Sequence, residues 1–401
     1  MERIGIFGGT FNPPHIGHIR SALRGAEALG LDKVLLIPAR QVPGKQIPEG
    51  SPTPEQRLEM VRLAAAAHPI LEVSDLEVSR QGDSYTWQTL LALQERYPGA
   101  ELTLMVGSDM LLSLPKWQQA ERIVKAAAIA VLPRGGRQEK NLLPAGVTAL
   151  EKMGARVTVA ENIPCEISST QLRRLLAFRC ASEFLDPAVE GYIVKNGLYH
   201  TASDWKNLPM DRLEQVVIGL LNPNRVRHVL GCRDTAVELA KRWGADTVDA
   251  ARAGMLHDVT KALDGPLQLT LCRAYGTLLD DFSKKYPKTL HALTGSLVAE
   301  RIFGENKAVV SAIRHHTTGK ADMNVLEAII YVADYMEPNR DFPGVEELRA
   351  LAFSDLQAAL KLGLEMTLVH LKNQGSEVSP ESRQALDWLK RGGQKHGFPF
   401  G

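Results

Sequence analysis

"RIGIFGGTFNPPHIGH", residues 3 to 18, decides how the first half of this chain is read. Its apolar start and double-glycine end have the character of a strand, Pro13 and Pro14 fix a turn, and a helix is expected to begin near His15. Gly8 and Gly9, having no side chains, let the backbone come close to a ligand. On such a helix His15 and His18 stand at i and i+3 and share one face of the first turn, where unbonded N–H groups and the helix dipole favour an anion. Two imidazoles there can donate hydrogen bonds to a triphosphate. A lone HxxH is more often an ordinary solvated helix start, but the strand, glycines and prolines before this one favour phosphate binding.

Further strand-like runs follow as "KVLLIPA", "ELTLMVG", "AIAVLPR" and "ARVTVAE", separated by amphipathic stretches such as "PEQRLEMVRLAAAAH". This alternation predicts a Rossmann-like α/β domain, a mostly parallel sheet with helices on both faces. Past residue 210 the grammar changes: "TAVELAKRWG", "TGSLVAERIFG" and "VLEAIIYVADYM" carry helical periodicity and no convincing strand appears, which predicts an all-α domain. The boundary is expected within "YHTASDWKNLPM", giving domains at 1–204 and 205–392 and a flexible tail at 393–401.

The totals agree with two cores, since 401 residues exceed what one usually serves. With 47 basic and 46 acidic residues, no bulk charge gathers nucleic acid or a membrane surface, so any anion binding must be local. Cys165, Cys180, Cys232 and Cys272 are widely spaced and form no CxxC pair, which argues against a disulfide framework or thiolate zinc site. No leader and no run of ~18 apolar residues is present, so a soluble cytoplasmic protein is expected, with an oligomer left open.

"GGTFNPPHIGH" resembles the (T/H)xGH signature of the nucleotidyltransferases, and "FNPPHIGH" resembles nicotinate-nucleotide adenylyltransferases in particular. That family joins ATP to nicotinate mononucleotide, giving deamido-NAD and pyrophosphate. Its second signature appears as "ISSTQLRRLL", residues 167 to 176, where Ser168, Ser169 and Thr170 can cap a helix and hold phosphate oxygens and Arg173 can clamp them. "IPARQVPGK", "QRLEMV", "SYTWQTL", "VGSDMLLSLPKW" and "VLPRGG" lie between them in the family's order. The resemblance implies that Gly8, Gly9, Thr10, Phe11, Gly107 and Asp109 bind ATP, which comes with Mg²⁺. It also implies that Lys45 meets the mononucleotide phosphate, that Ser84, Tyr85 and Thr86 line the pyridine site, and that Trp117 stacks on the ring. Where the family usually has "PPHK" this chain reads "QVPGK". The reaction needs no covalent intermediate: His15, His18 and Arg173 would align the two nucleotides and neutralise departing pyrophosphate, with His18 stabilising the transition state rather than acting as a base. The rival acceptors are nicotinamide mononucleotide and pantetheine phosphate.

In the second half "GMLHDVTK" places His257 beside Asp258, with His228 upstream in "RVRHVLG" and His291, His316 and Asp334 downstream. Six imidazoles and carboxylates on apolar helices are costly to bury unpaired, and a metal centre removes that cost. The donors suit iron, manganese, nickel or zinc, and with Asp258 as a bridge they suffice for two divalent ions ~3.5–4 Å apart, which would polarise a phosphate and make a protein nucleophile unnecessary. Consecutive helical residues point ~100° apart, so of His315 and His316 one faces the cluster; His316 is taken, with His315 behind it.

The order of these ligands is that of the HD superfamily of metal phosphohydrolases. "AGMLHDVTK", "AIRHHTTG" and "YVADYMEPNRDFPGV" resemble its bacterial family assigned as symmetrical bis(5′-nucleosyl)-tetraphosphatases, over about residues 210–390. The resemblance implies hydrolysis of diadenosine tetraphosphate to two ADP, with Asp258 catalytic; Lys261 and Arg340 are candidate polyphosphate ligands. Other substrates, a guanosine alarmone or a deoxynucleoside triphosphate, remain open. So does a nucleotide sensor without turnover, although the intact ligand set argues for turnover. The chain is thus expected to be bifunctional.

Overall fold

In the computed structural model the opening run is a strand, β1 (Arg3–Gly9), buried continuously from Ile4 to Phe7. Unbroken burial is what a parallel strand covered on both faces requires. The structure describes residues 1–44, 47–48, 50–133, 139–160 and 167–392. Lys45, Cys165 and the tail 393–401 lie outside them.

By its contacts the chain divides into two units, Met1–Ser203 and Asp204–Gly401. The first continues with α1 (Ile16–Leu29), β2 (Lys33–Pro38), α2 (Pro54–Ala65), β3 (Leu71–Val73), α3 (Leu76–Ser79), α4 (Thr86–Arg96), β4 (Glu101–Gly107), α5 (Ser108–Leu111), α6 (Ala120–Ala126), β5 (Ala128–Leu132), α7 (Glu139–Lys152), β6 (Val157–Val159), α8 (Ser169–Ala177) and α9 (Pro187–Lys195). The six strands lie in the order β3-β2-β1-β4-β5-β6, all parallel. The α/β expectation is borne out. Sequence reading missed β3, whose middle residue is the charged Glu72.

Strand order reverses between β1 and β4, and there the pairing stops early. β1 and β4 stay in register only from Arg3–Glu101 to Ile6–Leu104. β1 then follows β2 as far as Gly9 and β4 follows β5 as far as Gly107. A crevice between diverging strand ends at such a reversal is the usual ligand position in this architecture. Helix α1 packs close against the sheet behind it: a methyl group at Gly25 would collide with the Met105 side chain.

The second unit holds α10 (Met210–Leu220), α11 (Val226–Trp243), α12 (Thr247–Leu256), α13 (Gly265–Ala274), α14 (Asp281–Lys285), α15 (His291–Arg301), α16 (Lys307–His315), α17 (Val325–Met336), α18 (Val345–Ser354), α19 (Leu356–Asn373) and α20 (Pro380–Lys390), with no strand among the described residues. The all-α expectation holds. Helix α17 is buried almost all round, from Leu326 to Ala333, as a helix with no polar face must be. Helices α11 and α12 touch through glycine: a Cβ at Gly254 would stand 2.7 Å from the Arg233 Cα. Among the described residues no helix is long and apolar enough to cross a membrane.

Candidate functional site

In the first unit His15 is not part of the helix but its N-cap, with extended backbone (φ −143°, ψ 168°), and α1 starts at Ile16. Its Nδ1 accepts from the Gly17 N–H at 3.2 Å, and the His18 Nδ1 accepts from the His15 N–H at 3.1 Å. The two rings thus take up two of the amide donors expected at this helix start, those of His15 and Gly17. A ring nitrogen that accepts carries no proton, so each neutral imidazole holds its proton on Nε2 and presents an N–H donor there. The ring centroids are 3.7 Å apart, and the Phe11 ring stands edge-on to His18 at 5.1 Å. The pair therefore acts as one block of donors at the carboxyl end of β1.

The second signature is joined to this block. Ser168 caps α8, its Oγ accepting from the Gln171 N–H at 3.2 Å. Arg173 donates through Nη1 to the Asn12 carbonyl at 2.9 Å, across 161 positions of sequence, and through Nη2 to Thr170 Oγ1 at 3.1 Å. Asn12 is a hub that sequence reasoning passed over, although it lies inside the first motif. Its Oδ1 accepts from the Tyr199 hydroxyl at 2.7 Å, and its Nδ2 donates to Ser51 Oγ at 3.1 Å. Burial lowers the Arg173 pKa somewhat from its usual value, and a guanidinium stays charged regardless.

The expected pyridine-site residues form a second group. Ser84 Oγ accepts from the Arg40 N–H at 3.1 Å, and its own N–H donates to the Gln41 carbonyl at 2.8 Å. Tyr85 caps α4 and Thr86 begins it. Trp87, next in line, donates to Gln118 at 3.3 Å, which brings this segment to Trp117. Trp117 is part-buried against the sheet core and donates to Ser113 Oγ at 3.2 Å. Gly107 ends β4 beside the crevice, and exposed Asp109 lies on the short α5.

In the second unit all six expected metal ligands come together, from α11, α12, α15, α16 and α17. His257, Asp258, His291 and His316 are at most 3% exposed. Contrary to expectation the His-Asp pair is not inside a helix: His257 caps the end of α12 and Asp258 lies in the turn beyond. Three histidines share one local solution. The Nδ1–H of each donates to the carbonyl three residues earlier: His257 to Gly254 at 2.7 Å, His291 to Lys288 at 3.0 Å and His316 to Ile313 at 2.7 Å. His228 donates instead to the buried Glu337 carboxylate at 3.2 Å. Each Nε2 is thereby left as the inward-facing base, the arrangement that orients metal-binding imidazoles.

Asp258 is the pivot. Its Oδ2 is 3.6 Å from His228 Nε2 and 3.7 Å from His257 Nε2, while its Oδ1 is 3.6 Å from His291 Nε2 and 3.9 Å from His316 Nε2. Asp334 Oδ1 is 3.1 Å from His228 Nε2 and 3.8 Å from His257 Nε2. Two groups tight enough for a single ion overlap here, His228–His257–Asp334 and His257–Asp258–His316. Burial, with neighbouring cationic groups, pulls His291 down to about 3 and His316 to about 4. Both are then neutral at ordinary pH, the form that binds metal. Burial pushes the Asp258 carboxyl up, but His257, His291 and Lys261 outweigh it and hold the group well below its usual range. These donors fit divalent ions, and deprotonated acids beside neutral imidazoles are the state such ions need.

Cations surround the cluster. Lys261 Nζ is 2.8 Å from His291 Nε2, Arg340 Nη2 is 2.7 Å from Asp334 Oδ1, and Arg225, which the sequence reading did not single out, bonds Asp258. Thr317, also missed, sits 3.1 Å from both His291 Nε2 and His316 Nε2. His315 does not stand behind the cluster as expected. Its Nδ1 donates to the Ser311 carbonyl at 2.9 Å and lies 3.6 Å from the buried Glu327, because the next residue in a helix points elsewhere.

Comparison with known proteins divides the chain in the same way. Residues 6–175 match the cytidylyltransferase-like family and residues 225–339 the HD domain. A probable nicotinate-nucleotide adenylyltransferase of Aeromonas salmonicida is 41% identical over 208 residues, 49% of this chain and 96% of that protein. Its counterpart in Gloeobacter violaceus is 40% identical over 201 residues, again 96% of its length. Among solved structures, a predicted HD superfamily hydrolase involved in NAD metabolism from Clostridium acetobutylicum is 36% identical, covering 46% of this chain and 98% of that one with a TM-score of 0.45.

Proposed function

We propose a reaction for each half from the premise that this chain belongs, through its first half, to the nicotinate-nucleotide adenylyltransferase family, and that its second half is an HD domain. The first half transfers the adenylyl group of ATP, accompanied by Mg²⁺, to nicotinate mononucleotide, giving deamido-NAD and pyrophosphate. The observation that carries this is the joining of the two signatures: Arg173 of the second donates to the Asn12 carbonyl inside the first, the segment that also holds the close His15–His18 pair.

Their roles follow from their chemistry. Gly8 to Phe11 and Gly107 edge the crevice where the adenine nucleotide lies, and the ring Nε2–H groups of His15 and His18 donate to its phosphates. Arg173, fixed at one nitrogen by Asn12, offers a planar cation to the departing pyrophosphate. Ser168 and Thr170 hold the α8 end of that site, and Asp109 the adenosine. Ser84, Tyr85, Thr86 and Trp117 receive the pyridine, with Lys45 assigned to the mononucleotide phosphate. No residue needs to form a covalent bond; the protein aligns the attacking phosphate oxygen with the α-phosphorus and neutralises leaving charge. The test is formation of deamido-NAD and pyrophosphate by the full chain from ATP and a panel of acceptors. Preference for nicotinamide mononucleotide or pantetheine phosphate over the acid would overturn the assignment.

The second half, on the same footing, hydrolyses diadenosine tetraphosphate to two ADP. His228, His257, His291, His316, Asp258 and Asp334 would hold two divalent ions, which when bound polarise the phosphate and supply the attacking water's activation. Support comes from Asp258, whose two oxygens each face a different pair of imidazoles as a bridging carboxylate would. Glu337 fixes the His228 ring, and Lys261, Arg340 and Arg225 set positive charge where a polyphosphate chain would lie. Product analysis with manganese-loaded chain tests it: ADP alone from diadenosine tetraphosphate supports the reading. ATP plus AMP, turnover only of a guanosine alarmone or deoxynucleoside triphosphate, or binding without turnover would replace it.

A further inference from the structure

Arg57 is a fully buried arginine on α2, outside every role assigned above. Its placement is set locally: Thr53 caps α2 with Gln56 closing the box and Pro54 opening the first turn, so Arg57 falls one turn into the helix, aimed inward. Its Nη1 donates to the Thr10 carbonyl at 2.6 Å and the Ala39 carbonyl at 2.7 Å, and its Nη2 to the Arg40 carbonyl at 2.9 Å. Thr10 belongs to the loop after β1, and Ala39 and Arg40 to the loop after β2. Nε is buried without a hydrogen-bond partner, and the carboxylate that acts on Arg57 through its charge, Glu55, is itself paired with Arg40 at 3.5 Å. A buried cation whose hydrogen bonds all go to carbonyl oxygens is costly to keep, and a nearby anion lowers that cost.

We propose that Arg57 is a positioning residue for adenylyl transfer: it fastens the ATP-side loop to the acceptor-side loop and sets positive charge behind the ATP-side loop. The inference rests on the reaction proposed for the first half. Arg40 carries the link onward, since its N–H meets Ser84 Oγ in the expected pyridine group. Three carbonyls on two loops demand the planar, multi-donor guanidinium; a lysine ammonium keeps the charge and cannot span them. The near-attack geometry of two bound nucleotides then depends on a group that touches neither.

The test is steady-state adenylyl transfer by full-length Arg57→Met and Arg57→Lys chains. In Arg57→Met, kcat should fall ~10- to 10²-fold, as misplacement of reacting groups does, and the KM values for ATP and the mononucleotide should rise together. In Arg57→Lys the KM for ATP should recover while kcat stays low. Folded Arg57→Met with unchanged kcat and KM would overturn the proposal, as would a lowered melting temperature with normal kinetics. Should neither variant fold, hydrogen exchange of the unaltered chain decides. Each substrate alone should slow exchange in both loops, residues 8–12 and 39–44, because coupling is reciprocal; protection confined to each substrate's own loop overturns it. An unaltered chain that makes no deamido-NAD refutes the reaction itself, whereas an active chain indifferent to Arg57 refutes only the role of Arg57.

Discussion

His18 and Arg173 remain part-exposed at the end of a parallel sheet, whereas His257 and Asp258 are sealed inside a helical unit at 0% and 1% exposure. Neutral and cationic donors beside a crevice can be left to water until a ligand comes. Carboxylates packed among imidazoles cannot, and must be neutralised where they stand. The first site therefore draws on short segments near two sequence signatures, while the second needs five helices to bring six side chains together. The difference indicates where substitutions will be felt. A change in the first should alter rates and leave the fold alone, and a change in the second should alter metal content, rate and folding together.

The sharpest contrast is Asp258→Ala. Removing the carboxylate that faces all four imidazoles should lower hydrolysis by ~10³-fold or more, the loss of several kcal/mol of charge stabilisation, and leave adenylyl transfer intact. Paired assays on one preparation check this; a parallel fall in both activities would break the separation. Next comes His18→Ala, expected to slow adenylyl transfer by ~10²-fold, as loss of a transition-state donor does, with hydrolysis unchanged. Full activity in that variant would leave His18 as no more than a cap.

Trp117→Ala sharpens the first site from the acceptor side. Loss of ring stacking, about 0.5–1.5 kcal/mol, should raise the KM for the mononucleotide about two- to thirteenfold with kcat little changed. A lower melting temperature at constant KM would instead assign Trp117 to the sheet core it lies against.

The smallest effect concerns acid stability of the second unit. Burial raises the Glu327 pKa, but hydrogen bonds from His315, Lys320 and Ser311 outweigh it and hold the carboxyl at about 2, below its ordinary 4.5. A depressed folded-state pKa contributes stability above pH 4.5 that is lost as pH falls toward about 2. Thermal unfolding of the unaltered chain should show this decline, and Glu327→Gln should flatten it. Identical pH profiles would show that Glu327 contributes nothing.

What could be read from the sequence was what is local in the chain. Strands β1, β2, β4, β5 and β6 announce themselves, and the ligand order from His228 to Asp334 is visible as spaced histidines and aspartates among apolar residues. β3 escaped because the charged Glu72 breaks its short apolar run, whereas the equally short β6 has Thr158 between two valines. The helix start was legible to within one residue, near His15, but a histidine accepting its own helix's amide is a cap that spacing does not reveal. Tyr199 reaches Asn12 across 187 positions and Glu337 reaches His228 across 109; such partners exist only once the helices have packed. Arg57 lies in the quoted "QRLEMV" segment, but its role could not be read there, because its partners are backbone carbonyls, which every residue has.

Metal analysis of the purified full chain beside its Asp258→Ala variant tests the central claim most directly. Six converging donors predict about two tightly held divalent ions per chain, lost from the variant while both proteins still make deamido-NAD. A folded, unaltered chain that carries no divalent ion and takes none up on titration with manganese, iron, nickel or zinc would contradict it.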